Sequence, residues 1–388
     1  TVGGSVILTN TKLVILAVFP NLVTVGGDVV VSNNDRLLRL GDNNHDAFPE
    51  LREVGGSVVI SGNPFVEKFE GFEKLRVVRF GDVRVENNQR LKTIATNAVT
   101  LGQMVRQHVL GGDQKSVKPF QNLHRIGGGV SISQNQALTE IHSAFPSLRR
   151  VDGGLTIGDN QKLEKIEDSF ELLDVVQQQF TVSNCAVLEH VSNSFPKLRV
   201  VGQSFLISDN FKFEKVDAGS WTRLFRVGGS VMIQSVALQS VSFFLSLQVV
   251  VGNVKIGQNC TNLQSLDGLQ NLRQVTGFVD IFPSNLEGNF GRCGFVSSAL
   301  GVLHSCYERG LRMCVPILPI TSNSGNSDFI GSTPKTKITT VPGWYRCVDT
   351  IATILLETPE LRTTFGVFSA AGLLDALHSP RADVTVFA

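Results

Sequence analysis

The side chains best equipped for chemistry are scattered along this 388-residue chain. Its seven histidines, His45, His108, His124, His142, His190, His304 and His378, show no H-E-x-x-H spacing, and the sequence holds no G-x-S-x-G elbow or phosphate-binding loop. No catalytic residue and no cofactor is expected. Asp42, Asn44 and Asp46 have D-x-N-x-D spacing, with Glu53 eleven residues after Asp42, which echoes a calcium loop. Ala47 stands where such a loop needs glycine, however, and an Asx-rich surface turn is the expected structure. Of the six cysteines, Cys293, Cys306 and Cys314 lie close together without any C-x-x-C pair. That spacing argues against zinc and suits a disulfide-stapled cap. Cys185, Cys260 and Cys347 stand apart from them, and Asn259-Cys260-Thr261 forms one sequon.

What must position these residues is a repeat. One phrase, roughly F-P-x-L-x-x-V-G-G-x-V-x-I-x-x-N-x-x-L-x-x-I, returns twelve times between Val2 and Gly277. From Gly127 the turn recurs near Gly153, Gln177, Gly202, Gly228, Gly252 and Gly277, in steps of 26, 24, 25, 26, 24 and 25 residues. A period in the twenties with one short strand per unit predicts stacked coils. The V-x-I element alternates as a strand does, as in Val130-Ser131-Ile132 and Leu155-Thr156-Ile157, so its first and third residues point inward and its middle residue outward. The glycines before each strand are expected at positive φ in a tight turn.

Two columns follow. Asn34, Asn63, Asn88, Asn135, Asn160, Asn210 and Asn259 are expected to form a buried amide ladder, which places the sequon asparagine inside the coil and away from any glycan. Phe19, Phe48, Phe72, Phe120, Phe145, Phe170, Phe195, Trp221 and Phe244 are expected to stack as a spine. Longer units between Gly26 and Gly55 and near Leu101–Gln121, where Gly111–Ser116 are inserted, predict protruding loops. Twelve rungs at about 4.8 Å predict a rod of roughly 58 Å.

The outward column reads Ile7, Val30, Val59, Arg84, Arg106, Ser131, Thr156, Thr181, Leu206, Met232, Lys255 and Asp280. It places no carboxylate pair on neighbouring coils, which a polysaccharide-cleaving β-helix would need. A mixed apolar and polar strip suits docking, and Val30, Val59, Arg84, Leu206 and Met232 are the candidate ligand-binding residues. With 35 basic and 34 acidic residues, net charge is +1, so no nucleic-acid partner is implied. No uncharged stretch is long enough to predict direct insertion in a membrane. The opening Thr1-Val2-Gly3-Gly4-Ser5-Val6 already lies inside a repeat, so the chain is expected to be a fragment.

The repeat resembles the receptor L domain, the leucine-rich-type coil of growth-factor receptor ectodomains and related fungal cell-wall proteins. The carriers are Leu51-x-x-Val54-Gly55-Gly56-Ser57-Val58-Val59-Ile60-x-x-Asn63 and Leu148-x-x-Val151-x-Gly153-Gly154-Leu155-x-Ile157-x-x-Asn160-x-x-Leu163-x-x-Ile166. The resemblance covers 1–285 and implies a mainly β, right-handed parallel β-solenoid of about twelve coils. It departs from the receptors in lacking their cysteine-rich module. Residues 286–315 are then a cysteine-containing cap and 316–343 a flexible linker rich in Thr, Ser, Asn, Gly and Pro. Over 344–388, Gly372-Leu373-Leu374-Asp375-Ala376-Leu377 followed by Val384-Thr385-Val386-Phe387-Ala388 is similar to the opening of a fasciclin-like adhesion domain, incomplete here and small and α-rich. An amphipathic helical tail is the alternative for this segment. Together these resemblances imply a non-enzymatic adhesion, matrix or cell-wall protein, extracellular or on the cell surface, with a protein or glycan as partner. The alternatives are a receptor ectodomain binding a soluble ligand and a carbohydrate-active enzyme.

Overall fold

The computed structural model describes residues 1–17, 19–41, 47–69, 71–94, 120–217, 219–260, 262–263, 268–269, 271–277, 279–281, 294–298, 301–305, 313–317 and 344–348. They are mainly β and include no helix. Short parallel strands stack into three sheets of eleven, eight and ten strands, which form the three sides of a β-solenoid. The eleven-stranded sheet runs from Val6–Thr9 to Val279–Ile281. Rungs stack like on like: Val58 pairs with Val83, Val83 with Val130 and Val130 with Leu155. From Val29 to Ile256 the residues flanking the outward positions are buried, among them Val58, Ile60, Val130 and Ile132, as period-two alternation requires, and Leu8 at the first rung is half-buried.

This sheet has eleven rungs, one fewer than the repeat count. Val83–Glu86 pairs directly with Val130–Ser133, so no rung from residues 95–119 lies between them. Aligning Arg106 with the outward column would have put Gln107 at an inward position, and an unpaired buried amide is costly. Arg106, the loop expected at Gly111–Ser116, the turn expected at Asp42–Asp46 and the α-rich segment expected after Val348 all lie outside the described residues.

The asparagine ladder forms and its bonding is regular. The Asn34 N–H donates to Asn63 Oδ1 at 3.1 Å, Asn63 to Asn88 at 3.2 Å, Asn88 to Asn135 at 3.0 Å and Asn135 to Asn160 at 3.0 Å. Each Nδ2 also reaches a strand carbonyl, as Asn160 reaches Ile132 at 2.9 Å. The residue before each rung of the ladder is left-handed, as at Asn33 (φ 53°), Gly62 (63°), Asn87 (54°) and Asp159 (55°), a region that Asn, Asp and Gly tolerate. Asn259 departs from expectation. One extra residue, Gly257 (φ 98°), shifts the register so that Gln234 pairs with Gln258. Cys260 therefore takes the buried ladder position, and Asn259 (φ 57°) is exposed in the left-handed column.

The aromatic spine also forms. Ring centroids lie 4.9 Å apart for Phe120–Phe145, 5.1 Å for Phe145–Phe170 and 4.8 Å for Phe170–Phe195, with near-parallel planes. The stack continues to Trp221 and then reaches Phe244 through Phe243, a residue outside the repeat column. The glycines before the strands have a different cause from the one expected. Gly55 and Gly127 are not at positive φ. A Cβ there would sit 2.1 Å from the Gly26 carbonyl oxygen and 1.7 Å from that of Arg79, so the contact between stacked corners excludes a side chain.

A separate four-stranded sheet joins Gly294–Ser298, Gly301–Ser305, Trp344–Val348 and Met313–Ile317 in that order. The antiparallel pairing of Met313–Ile317 with Trp344–Val348 sets Cys314 opposite Cys347.

Candidate recognition face

The outer face of the eleven-stranded sheet carries every ligand-binding candidate. Val30 pairs with Val59 and Val59 with Arg84, while Leu206 pairs with Met232. The two groups share one column but stand apart, because Ser131, Thr156 and Thr181 fill the rungs between them. Arg84 is exposed, and the four apolar candidates are half-buried. Ile7, at the first rung, is 64% exposed.

A second side-chain ladder runs along the edge of this face, where the chain enters each strand. The Asp28 N–H donates to Ser5 Oγ at 2.9 Å, Ser57 to Asp28 Oδ1 at 2.7 Å, Asp82 to Ser57 Oγ at 3.1 Å and Gly129 to Asp82 Oδ1 at 2.7 Å. It resumes further along, with Ser230 donating to Ser204 Oγ and Asn253 to Ser230 Oγ. Sequence reasoning missed it because the position varies between Ser, Asp, Asn, Gln and Gly. The signal was a small oxygen-bearing residue directly before the strand.

The ladder lapses in the middle. Gly129 and Gly154 have no side chain to accept a proton, and the Gln179 amide turns back so that its Nε2 donates to Thr181 Oγ1 at 2.9 Å. Among the described residues nothing accepts the N–H groups of Gly154, Gln179 and Ser204. Gly154 and Ser204 are half-exposed and Gln179 is exposed. Beside this row lies a shallow groove lined by Asp82, Arg84, Glu86, Ser131, Thr156 and Gln178 together with the glycine corners.

Charges in and around the groove are held in place. Arg84 donates to Asp82 through Nε at 3.0 Å and Nη2 at 2.5 Å. Burial pulls the Asp82 carboxyl upward, but the Gly129 N–H and the Arg84 guanidinium outweigh it and hold the group below the usual carboxylate range. Asp152 behaves alike: burial raises it, and bonds from Arg125 and Arg150 more than reverse that. The two buried thiols point the other way. Burial pushes Cys185 up to about 12 and also raises Cys260, so neither is a nucleophile at neutral pH.

No family model, curated protein or solved structure matches this chain. The solenoid rests on its own geometry, and the receptor L domain and fasciclin resemblances rest on the motifs that carry them. Among the described residues no helix is long and apolar enough to cross a membrane.

Proposed function

We propose that this chain works by binding and not by catalysis, as an adhesion, matrix or cell-wall protein at the cell surface whose eleven-stranded sheet presents a recognition face to a glycan. One observation carries this reading: the lapse in the edge ladder leaves the N–H groups of Gly154, Gln179 and Ser204 without acceptors beside the Asp82–Arg84–Glu86 groove. Sugar hydroxyls both donate and accept, and a rigid array of backbone donors, carboxylates and a guanidinium meets both needs without reordering the protein. The test is binding of the wild type, Arg84→Ala and Gln178→Ala to an array of cell-wall and matrix polysaccharides. Wild-type retention that falls at least tenfold in Arg84→Ala supports the reading. Equal retention by all three, or none by the wild type, overturns it, and release of reducing ends would favour the carbohydrate-active enzyme instead.

A protein partner is the second reading, favoured by the adjacent half-buried pairs Val30–Val59 and Leu206–Met232. Val59→Asp and Met232→Asp would then abolish adhesion while Arg84→Ala left it intact. The L domain and fasciclin resemblances support the adhesive setting, and a receptor ectodomain would use the same face for a soluble ligand.

A further inference from the structure

On the eight-stranded sheet, a different side of the solenoid, the strand Glu140–His142 pairs in parallel with Lys165–Glu167. Glu140 and His142 are two residues apart and so project from the same face, and Glu167 sits directly beside His142 on the next rung. The inward residues between them, Ile141 and Ile166, are fully buried and fix both strands. His142 Nδ1 lies 3.7 Å from Glu140 Oε1 and 3.9 Å from Glu167 Oε2. It is itself a buried atom without a hydrogen-bond partner. One potential ligand atom from each of the three residues lies within 4.8 Å of the others. An imidazole nitrogen held between two carboxylates, too far from either to hydrogen-bond, leaves a gap that a small cation would fill.

We propose that Glu140, His142 and Glu167 form a divalent-metal site of the Zn²⁺ class. One imidazole nitrogen and two carboxylate oxygens suit a borderline ion better than Ca²⁺ or Mg²⁺, which prefer oxygen alone. Tetrahedral zinc with bonds near 2.0–2.2 Å sets its ligands roughly 3.4 Å apart. The two nitrogen–oxygen separations are within about half an ångström of that, a change carboxylate rotation supplies without moving the sheet. Three protein ligands leave a fourth position open to water or to a group from a bound molecule. Lys165 pairs with Glu140 in the same register, so its cation opposes the metal and sets the affinity below that of an all-anionic cage.

The test is calorimetric titration of the full chain with Zn²⁺ at neutral pH, on the wild type and on His142→Ala, Glu167→Gln and Lys165→Gln. The expected result is one equivalent bound by the wild type that is lost in His142→Ala and weakened at least tenfold in Glu167→Gln. Lys165→Gln, which keeps all three ligands, should bind severalfold more tightly, a gain that a misfolded variant would not show. Absence of saturable binding in the wild type, or equal affinity in all four proteins, overturns the site and shows the cluster to be only a histidine flanked by two glutamates. Neither result bears on Arg84, so the glycan face stands or falls separately.

Discussion

At the scale of single residues, the spine and ladder side chains carry unequal burdens. Phe120, Phe145, Phe170 and Phe195 take left-handed backbone, with φ between 53° and 61°, a conformation uncommon for residues other than glycine. Packing between coils outweighs that cost, because each ring is fully buried against two others. Phe145→Ala is expected to destabilise by about 3–5 kcal/mol through the cavity it opens. Asn160→Ala should cost about 1–3 kcal/mol by orphaning the Asn135 N–H and the Ile132 carbonyl. Urea unfolding followed by circular dichroism measures both, and wild-type midpoints would mean the columns bear no load. Cys185 gives the opposite case. It occupies a ladder position and receives the Asn210 Oδ1 contact on its own N–H at 2.9 Å, but offers only sulfur to Asn160. Cys185→Asn should restore the ladder and raise stability by about 1 kcal/mol, read as a higher melting temperature.

At the scale of elements, the corners matter as much as the strands. Asp152 fastens two corners by accepting from Arg125 at 2.7 Å and from Arg150 at 2.5 Å. Its pKa is lowered in the folded chain, so its contribution is present above the unfolded value near 3.8 and vanishes as pH falls through the lower folded value. Asp152→Asn should therefore be less stable than wild type at neutral pH by about 0.5–1 kcal/mol, since the arginines are largely solvent-screened, and the gap should narrow as pH falls below 3.8 in melts run from pH 7 downward. The eleven-stranded sheet was legible in the sequence because V-x-I and its following Asn keep strict spacing, whereas the eight- and ten-stranded sheets were not, since one strand per unit was expected and their strands are only two or three residues long. The edge ladder was not, since a hydroxyl, a carboxylate or a carboxamide can fill one bonding role. Nor was a third ladder, in which the Ala144 N–H donates to Ser169, Ser169 to Ser194 and Ser194 to Ser220. Glu140, His142 and Glu167 escaped notice for another reason: only the rung register makes neighbours of residues twenty-five positions apart.

At the scale of the whole molecule, the rungs form one uninterrupted stack from Val6 to Ile281. Eleven strands span about 48 Å at the usual rise between parallel neighbours. Ile141 reaches Phe145 in four steps and Ile166 reaches Phe170 likewise, whereas Ile94 reaches Phe120 only after twenty-six. Because Val83–Glu86 already pairs with Val130–Ser133, deleting residues 96–117 should leave the register intact. A single cooperative melt within about 4 °C of wild type is the expected outcome, and a split transition would show that the excised stretch bridges two halves. Gly257 shows how such a stack absorbs a smaller change. In the language of crystals it is a dislocation, one extra residue in one row, with the neighbouring rungs back in step at Val254–Val279 and Ile256–Ile281. The defect sits at the end of the strand Val254–Gln258, past the buried Val254 and Ile256, because only the strand interior must keep the alternation that sorts side chains inward and outward. Coils of 24, 25 and 26 residues can thus share one lattice, and the chain is free to vary in length at its corners while the faces between them stay in phase.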